Sequence, residues 1–285
     1  MTQLIALAVT VLTAIACSLI GNFLVLRRLS LMGDAISHAV LPGIIVAFFL
    51  AGSLESPLFF LLSVIFALMM AVAIQWITDH LKVSQESIIG IVFTFLFALG
   101  VILLVQFAGN VHLDQDAVLF GQVEFSAWNK LVVAGVDLGP RSLWTMGVVL
   151  LVNLSFITMF YKELKITTFD PGSAQSLGIS PKKMHYLVML LTAITVVAAF
   201  EAVGVILVVA LLVVPAATAF LISRRLLNMI ILSAVYAIFA SVAGYNFALY
   251  LDASIAGSVA MFTGVGLMLT FFIQKLWISF SRKRR

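Results

Sequence analysis

The chain has 285 residues, 63% of them hydrophobic and only 10% charged, with a formal net charge of +4. A water-soluble domain is nearer half apolar and a quarter charged, so the composition excludes a soluble enzyme and describes a polytopic integral membrane protein. The single cysteine, Cys17, excludes a disulfide framework or a cysteine-built zinc site within one chain, and its place inside an apolar run makes it a small packing residue.

Apolar runs long enough to cross a bilayer fall at about 3–26, 34–52, 57–78, 87–108, 142–161, 184–201, 203–222, 228–250 and 254–277. The first is too long for the apolar region of a signal peptide and has no basic stretch before it, so it reads as a retained span. Two connecting segments are long: 109–141 and 162–183. No separate soluble domain, internal repeat or phosphate-binding GxxxxGK[ST] loop is present. The whole of 1–285 therefore reads as one transmembrane domain, and any ATP that drives it must be bound by another chain.

The stretch 184–222 is almost unbroken apolar sequence, interrupted by Glu201, Gly204 and Pro215. Lys and Arg collect on the cytoplasmic side of a membrane. With two crossings here, nine spans result, the N-terminus lies outside and the C-terminus inside. Then 14 of the 16 Lys and Arg share the inner face, leaving Lys130 and Arg141 outside. A single crossing would put the basic tail SRKRR outside; eight spans remain the alternative if one run is re-entrant. The outer face carries Glu55, Asp114, Asp116, Glu124, Asp137 and Asp252. Such an acidic surface is either solvated loop or a means of attracting cations and docking a partner.

The second span opens with LMGDAISHAVLPG (31–43), which contains two ionisable residues, Asp34 and His38. Ionisable groups in a membrane are costly and commonly functional. At i and i+4 they stack on one helix face. A carboxylate with an imidazole suits Mn²⁺, Zn²⁺ or Fe²⁺, whereas calcium and magnesium favour oxygen alone. Gly33, Pro42 and Gly43 around the pair predict an irregular helix, the usual setting of a transporter site. The competing reading makes Asp34 a helix N-cap and His38 a buried imidazole bonded to a carbonyl. Two ligands do not complete a site, but two copies of the chain on an axis would bring four. Glu201 is a weaker candidate for the same path. Gln75, Gln106 and Asn246 read as packing or interfacial groups.

The inner segment KITTFDPGSAQSLGISPKKMHYL (165–187) predicts a short helix. Asp170 caps it, Pro171 fits its first position, and Gly178 ends it after Leu177. Ser180-Pro181 then starts the next span, with Lys182 and Lys183 at the interface. A short helix lying along the membrane between two spans is either an ordinary interfacial helix or a lever for a soluble partner.

Four segments in this order, LRRLSLMGDAISHAVLPG (26–43), VLFG (118–121), FDPGSAQSLGI (169–179) and VGVILVVALLVVPAATA (203–219), resemble the permease subunits of manganese/zinc/iron ABC importers. The resemblance spans residue 3 to about 275. It implies an all-α, type II ABC importer transmembrane fold, similar to that of the vitamin B12 importer's membrane subunit, in a bacterial plasma (inner) membrane. It implies a second permease subunit (a homodimer or a paralogous heterodimer), a dimer of cassette ATPases beneath, and an extracytoplasmic metal-binding protein above. It implies no permanently bound cofactor, with Mn²⁺, Zn²⁺ or Fe²⁺ as cargo, and no nucleic acid. Asp34 and His38 fall on the family's metal-pathway positions. Asp170, Pro171, Ala174, Leu177 and Gly178 fall on the helix that contacts the ATPase. Gly204 and Pro215 fall on structural positions. His112, Asp114 and Asp116 resemble the manganese or iron subgroup. Two other classes compete: a proton- or sodium-coupled secondary transporter, which needs no ATPase, and an intramembrane metalloenzyme, against which the absence of HExxH counts.

Overall fold

A computed structural model describes residues 2–51, 57–81, 83–107, 130–133 and 136–283. The helices are α1 (Thr2–Leu26), α2 (Leu31–Ala39), α3 (Leu41–Ala51), α4 (Pro57–His80), α5 (Gln85–Phe107), α6 (Arg141–Met159), α7 (Tyr161–Phe169), α8 (Pro171–Ser176), α9 (Pro181–Val203), α10 (Val205–Ile222), α11 (Leu226–Leu251) and α12 (Ile255–Lys283). Among the described residues nine segments are long and apolar enough to cross a membrane, with α2 and α3 counting as one. Each matches a run expected from the sequence. Of the residues singled out above, Glu55, His112, Asp114, Asp116, Glu124 and the VLFG stretch lie outside the described set.

The long outer segment contributes something the hydropathy pattern did not indicate. Strands β1 (Lys130–Val133) and β2 (Val136–Pro140) pair antiparallel, with Val133 opposite Val136 and an irregularity between Lys130 and Val132. Short strands of this kind carry too little periodicity to register in sequence.

Helix α1 is the packing centre, with α6, α9, α10 and α11 around it. Its buried hydroxyls are satisfied within the helix: Thr10 donates to the Ala6 carbonyl at 2.8 Å and Thr13 to that of Val9 at 2.8 Å. Cys17 is buried in the same core. Buried amides tie neighbours together. Asn22 donates to the Ser233 hydroxyl at 2.7 Å and Asn153 to that of Thr195 at 2.9 Å. Bonds of this type add roughly 0.6–2 kcal/mol each in a bilayer, where apolar burial gives no preference for protein over lipid. Close backbone approach does the rest. A Cβ on Gly21 would strike the Leu212 carbonyl of α10, and one on Gly43 would lie 2.9 Å from the Leu62 carbonyl of α4.

Three interruptions follow from sequence chemistry. Pro42 has no N–H for the His38 carbonyl, and the second span breaks at Val40 into α2 and α3. Gly204, at φ +81° and ψ 162°, joins α9 to α10 in a conformation essentially reserved for glycine. The 184–222 run is therefore two helices of span length. Pro215 lies buried inside α10 without ending it, as transmembrane packing permits.

The two ends of the bundle sort the charges as the sequence predicts. Arg27, Arg28 and Lys182 line one cleft with Thr167 and Thr168. Leu26, Phe169, Arg224 and Arg225 line another. At other helix ends Arg141 meets Glu201, and the Tyr245 hydroxyl donates to the Gln3 carbonyl.

Candidate metal path and coupling loop

Asp34 and His38 meet on α2. His38 Nε2 lies 3.6 Å from Asp34 Oδ1, and their side chains remain 34% and 49% exposed for His38 and Asp34 respectively. Neither group is sealed inside the chain. On the other side the imidazole rests against α5. Phe97 meets it edge-on at 5.3 Å between centroids and Phe93 at 5.9 Å. These rings fix its orientation and wall one side with apolar surface. Nothing in the sequence paired His38 with residues 55 or more positions away.

The N-cap reading of Asp34 is overturned. Helix α2 starts at Leu31 with Ser30 at the cap, so Asp34 lies inside the helix and its carboxylate is not used for capping. The helix starts early because α1 ends in a tight reversal. Leu29 N–H bonds the Leu24 carbonyl at 2.8 Å and Arg28 N–H that of Val25 at 3.2 Å, with Arg28 left-handed at φ +60°.

This reversal also sets the depth of the pair. Leu212 of α10 sits against both Gly21 and Gly33: a Cβ on Gly33 would collide with its side chain. Gly21 lies five residues before the end of α1 and Leu212 ten before the end of α10. At 1.5 Å per residue, Gly33 is on the order of 8–15 Å inside the helix ends. Asp34, next to it, is a deep group despite its closeness in sequence to Arg28. Among the described residues no set of three His, Cys, Asp or Glu could hold a metal. The described residues thus offer a carboxylate and an imidazole here, and no third ligand of those types. Glu201 is not near this pair; its Oε1 faces Arg141 Nε at 3.8 Å.

The inner loop forms as its residues dictate. Asp170 Oδ1 accepts from Ser173 N–H at 3.0 Å and Oδ2 from the Ser173 hydroxyl, and Pro171 takes the first position of α8. These bonds hold the Asp170 carboxyl below the usual carboxylate range. The other end closes with Ile179 N–H on the Ala174 carbonyl at 2.9 Å and Gly178 N–H on that of Gln175 at 3.0 Å, with Gly178 at φ +78°. Ala174 is fully buried, whereas Leu177 is 68% exposed. Leu177 thus stands exposed at the C-terminal tip of a short, doubly capped helix.

Two polar ties that the sequence did not reveal flank this loop. Before it, Arg27 of the α1 reversal donates through Nε to Thr168 Oγ1 at 3.2 Å and through Nη2 to Thr167 Oγ1 at 3.1 Å. After it, Lys182 meets Asp79 of α4 at 2.7 Å, and Gln75 donates to the same carboxylate at 2.8 Å. The only sequence signal was the presence of polar residues at the ends of apolar runs.

A helical bundle of nine span-length segments among the described residues, with a deep carboxylate–imidazole pair and a capped short helix, is the architecture of a multi-pass membrane protein. The profile of the ABC 3 transport family matches residues 2–275, and the chain belongs to that family. The manganese transport system membrane protein MntD of Bacillus subtilis (strain 168) is 46% identical over 91% of this chain and 88% of its own length. The zinc transport system membrane protein TroD of Treponema pallidum (strain Nichols) is 43% identical over 90% of this chain and 70% of its own. Among solved structures, PsaBC from Streptococcus pneumoniae in complex with Fab superimposes with a TM-score of 0.76 at 33% identity, covering 94% of this chain and 90% of that one. The chain is a multi-pass membrane permease of a metal ABC transport system.

Proposed function

We propose that this chain forms the translocation path of an ATP-driven manganese importer, with zinc and iron as the next most suitable ions. The supporting observation is the deep, partly exposed pair Asp34 and His38, whose mixed oxygen–nitrogen chemistry suits these metals. The relative named for manganese transport, at 46% identity, favours that ion. A second permease subunit facing the first would complete the coordination. A two-ligand half-site also fits transport, because an ion held by a complete cage would not leave.

Energy comes from a partner ATPase that contacts the segment Asp170, Pro171, Ala174, Leu177 and Gly178. An extracytoplasmic binding protein delivers the ion to the outer ends of the helices. ATP-driven motion of α8 passes through the Arg27–Thr167/Thr168 and Lys182–Asp79 ties to α1 and α4. Because Gly21 and Gly33 both pack on Leu212, movement of α1 and α10 reaches Asp34 directly. Gly33, Pro42, Gly43, Gly204 and Pro215 act by allowing close packing and helix breaks. Glu201 braces α9 to α6 through Arg141. An ion-coupled secondary transporter would make no use of α8.

The test is the manganese, zinc and iron content of cells with and without the chain, and with Asp34→Ala in its place. Loss of manganese accumulation in both, at normal membrane levels of the variant, supports the reading. Undiminished uptake of all three ions by Asp34→Ala would refute it.

A further inference from the structure

The inner end of the bundle contains a cavity of about 440 Å³ that lies among the proposed coupling ties and is not lined by Asp34 or His38. Its walls come from the end of α1, the end of α7 and the start of α9, and its charged lining is Arg27, Arg28 and Lys182. Lys182 is neutralised by Asp79. The two arginines are not. Among the described residues no carboxylate lies within ion-pair distance of either.

Arg27 makes its two hydrogen bonds to neutral hydroxyls. Thr167 passes its own proton to the Glu163 carbonyl at 2.7 Å, so its oxygen is oriented as an acceptor toward the guanidinium. Burial lowers Arg27 to about 10. Arg27 is only partly buried and Arg28 is exposed, so both guanidinium groups can be reached from outside the chain.

Arg28 supplies an independent observation. Its hydrogen-bond pattern is the same left-handed helix ending that Gly178 makes at the end of α8. Glycine is the favoured residue for that conformation, since a Cβ is strained there. Among the described residues a non-glycine takes that conformation twice, Arg28 at φ +60° and Asp252 at φ +52° at the end of α11. At Arg28 the residue in that turn also lines the cavity.

We propose that this cavity binds a phosphate group, held by the Arg27 and Arg28 guanidinium groups. Guanidinium forks match phosphate oxygens in geometry and charge. The cavity lies at the basic end of the bundle, where the headgroup of an anionic phospholipid of the inner leaflet is within reach; a soluble phosphate offers the same chemistry. Occupancy joins the end of α1 to the residues that precede α8.

The test uses the full chain and native mass spectrometry after exchange from phosphatidylglycerol or phosphatidylcholine, with inorganic phosphate as the soluble competitor. The expected result is retention of phosphatidylglycerol at least tenfold over phosphatidylcholine. Arg28→Gly should abolish that preference while leaving thermal stability equal or higher, because glycine relieves the left-handed strain. Arg27→Gln should weaken it as well. Displacement by millimolar inorganic phosphate supports a soluble ligand of the same site; failure to displace supports the lipid. Equal retention of both lipids, with no phosphate binding, would overturn the proposal. So would an Arg28→Gly variant that still prefers phosphatidylglycerol but no longer assembles with its ATPase, since the cavity would then be a protein contact.

Discussion

The α2 pair and the α8 loop are built on opposite logic. The α8 loop is complete within one chain: Asp170 caps its start, Gly178 closes its end, and every bond joins residues at most five apart. The Asp34–His38 pair is left incomplete. It has two ligands, side exposure and no third member among the described residues. On the proposed function, a lever that keeps its shape while pushed suits a local, redundant structure. A waypoint that forms and releases its coordination suits a pair completed from elsewhere.

Breaking the incomplete element should have the largest effect on function and the smallest on folding. His38→Ala should reduce metal uptake at least a hundredfold, while thermal unfolding of the purified chain stays within about 0.5 kcal/mol of the parent, as for a partly exposed group. A large fall in stability would instead make His38 a packing residue against Phe93 and Phe97.

The lever responds differently. Gly178→Pro removes the amide bonded to Gln175 and forbids φ +78°. Transport should fall at least tenfold while ATPase activity of the assembled complex persists, measured side by side in proteoliposomes. Unchanged transport would show that α8 carries no coupling. Gly178→Ala keeps the amide but strains the turn, at a cost of about 1–2 kcal/mol, with a smaller loss of coupling.

The mildest perturbation is pH. Asp170 has its folded pKa lowered by Ser173, so its capping contribution is fully present above the unfolded value. It is lost as pH falls through the lower folded value. The protection of the Ser173 amide relative to its intrinsic exchange rate should therefore fall only below the ordinary carboxylate range, and Asp170→Asn should remove most of that dependence. Protection that is flat through acid pH in the parent would mean the cap is not formed.

Legibility follows the range of the interactions. The nine apolar runs, Gly204 as a helix break and the Asp170–Gly178 capping pattern depend on neighbours in sequence, and all were readable from it. The i, i+4 pairing of Asp34 and His38 was readable for the same reason. Its depth was not: the left-handed turn at Arg28 sends the chain back inward, and no hydropathy pattern marks that turn. The Phe93 and Phe97 wall, the Arg27–Thr167/Thr168 tie and the Arg141–Glu201 pair join residues far apart in sequence, so no local pattern announces them.

Sequence alone therefore determined the membrane class, the number of long apolar runs, the basic face, the local shape of the inner loop and the ligand types of the candidate site. Each rests on hydropathy, charge bias or hydrogen bonds within a few residues. Tertiary structure decided how deep Asp34 and His38 lie, that Glu201 faces an arginine, and that Arg27 and Arg28 share a cavity with no carboxylate of the described residues in ion-pair range. Those outcomes depend on which helices meet, and in a bilayer that choice is made by close packing at Gly21, Gly33 and Gly43 rather than by burial of apolar surface.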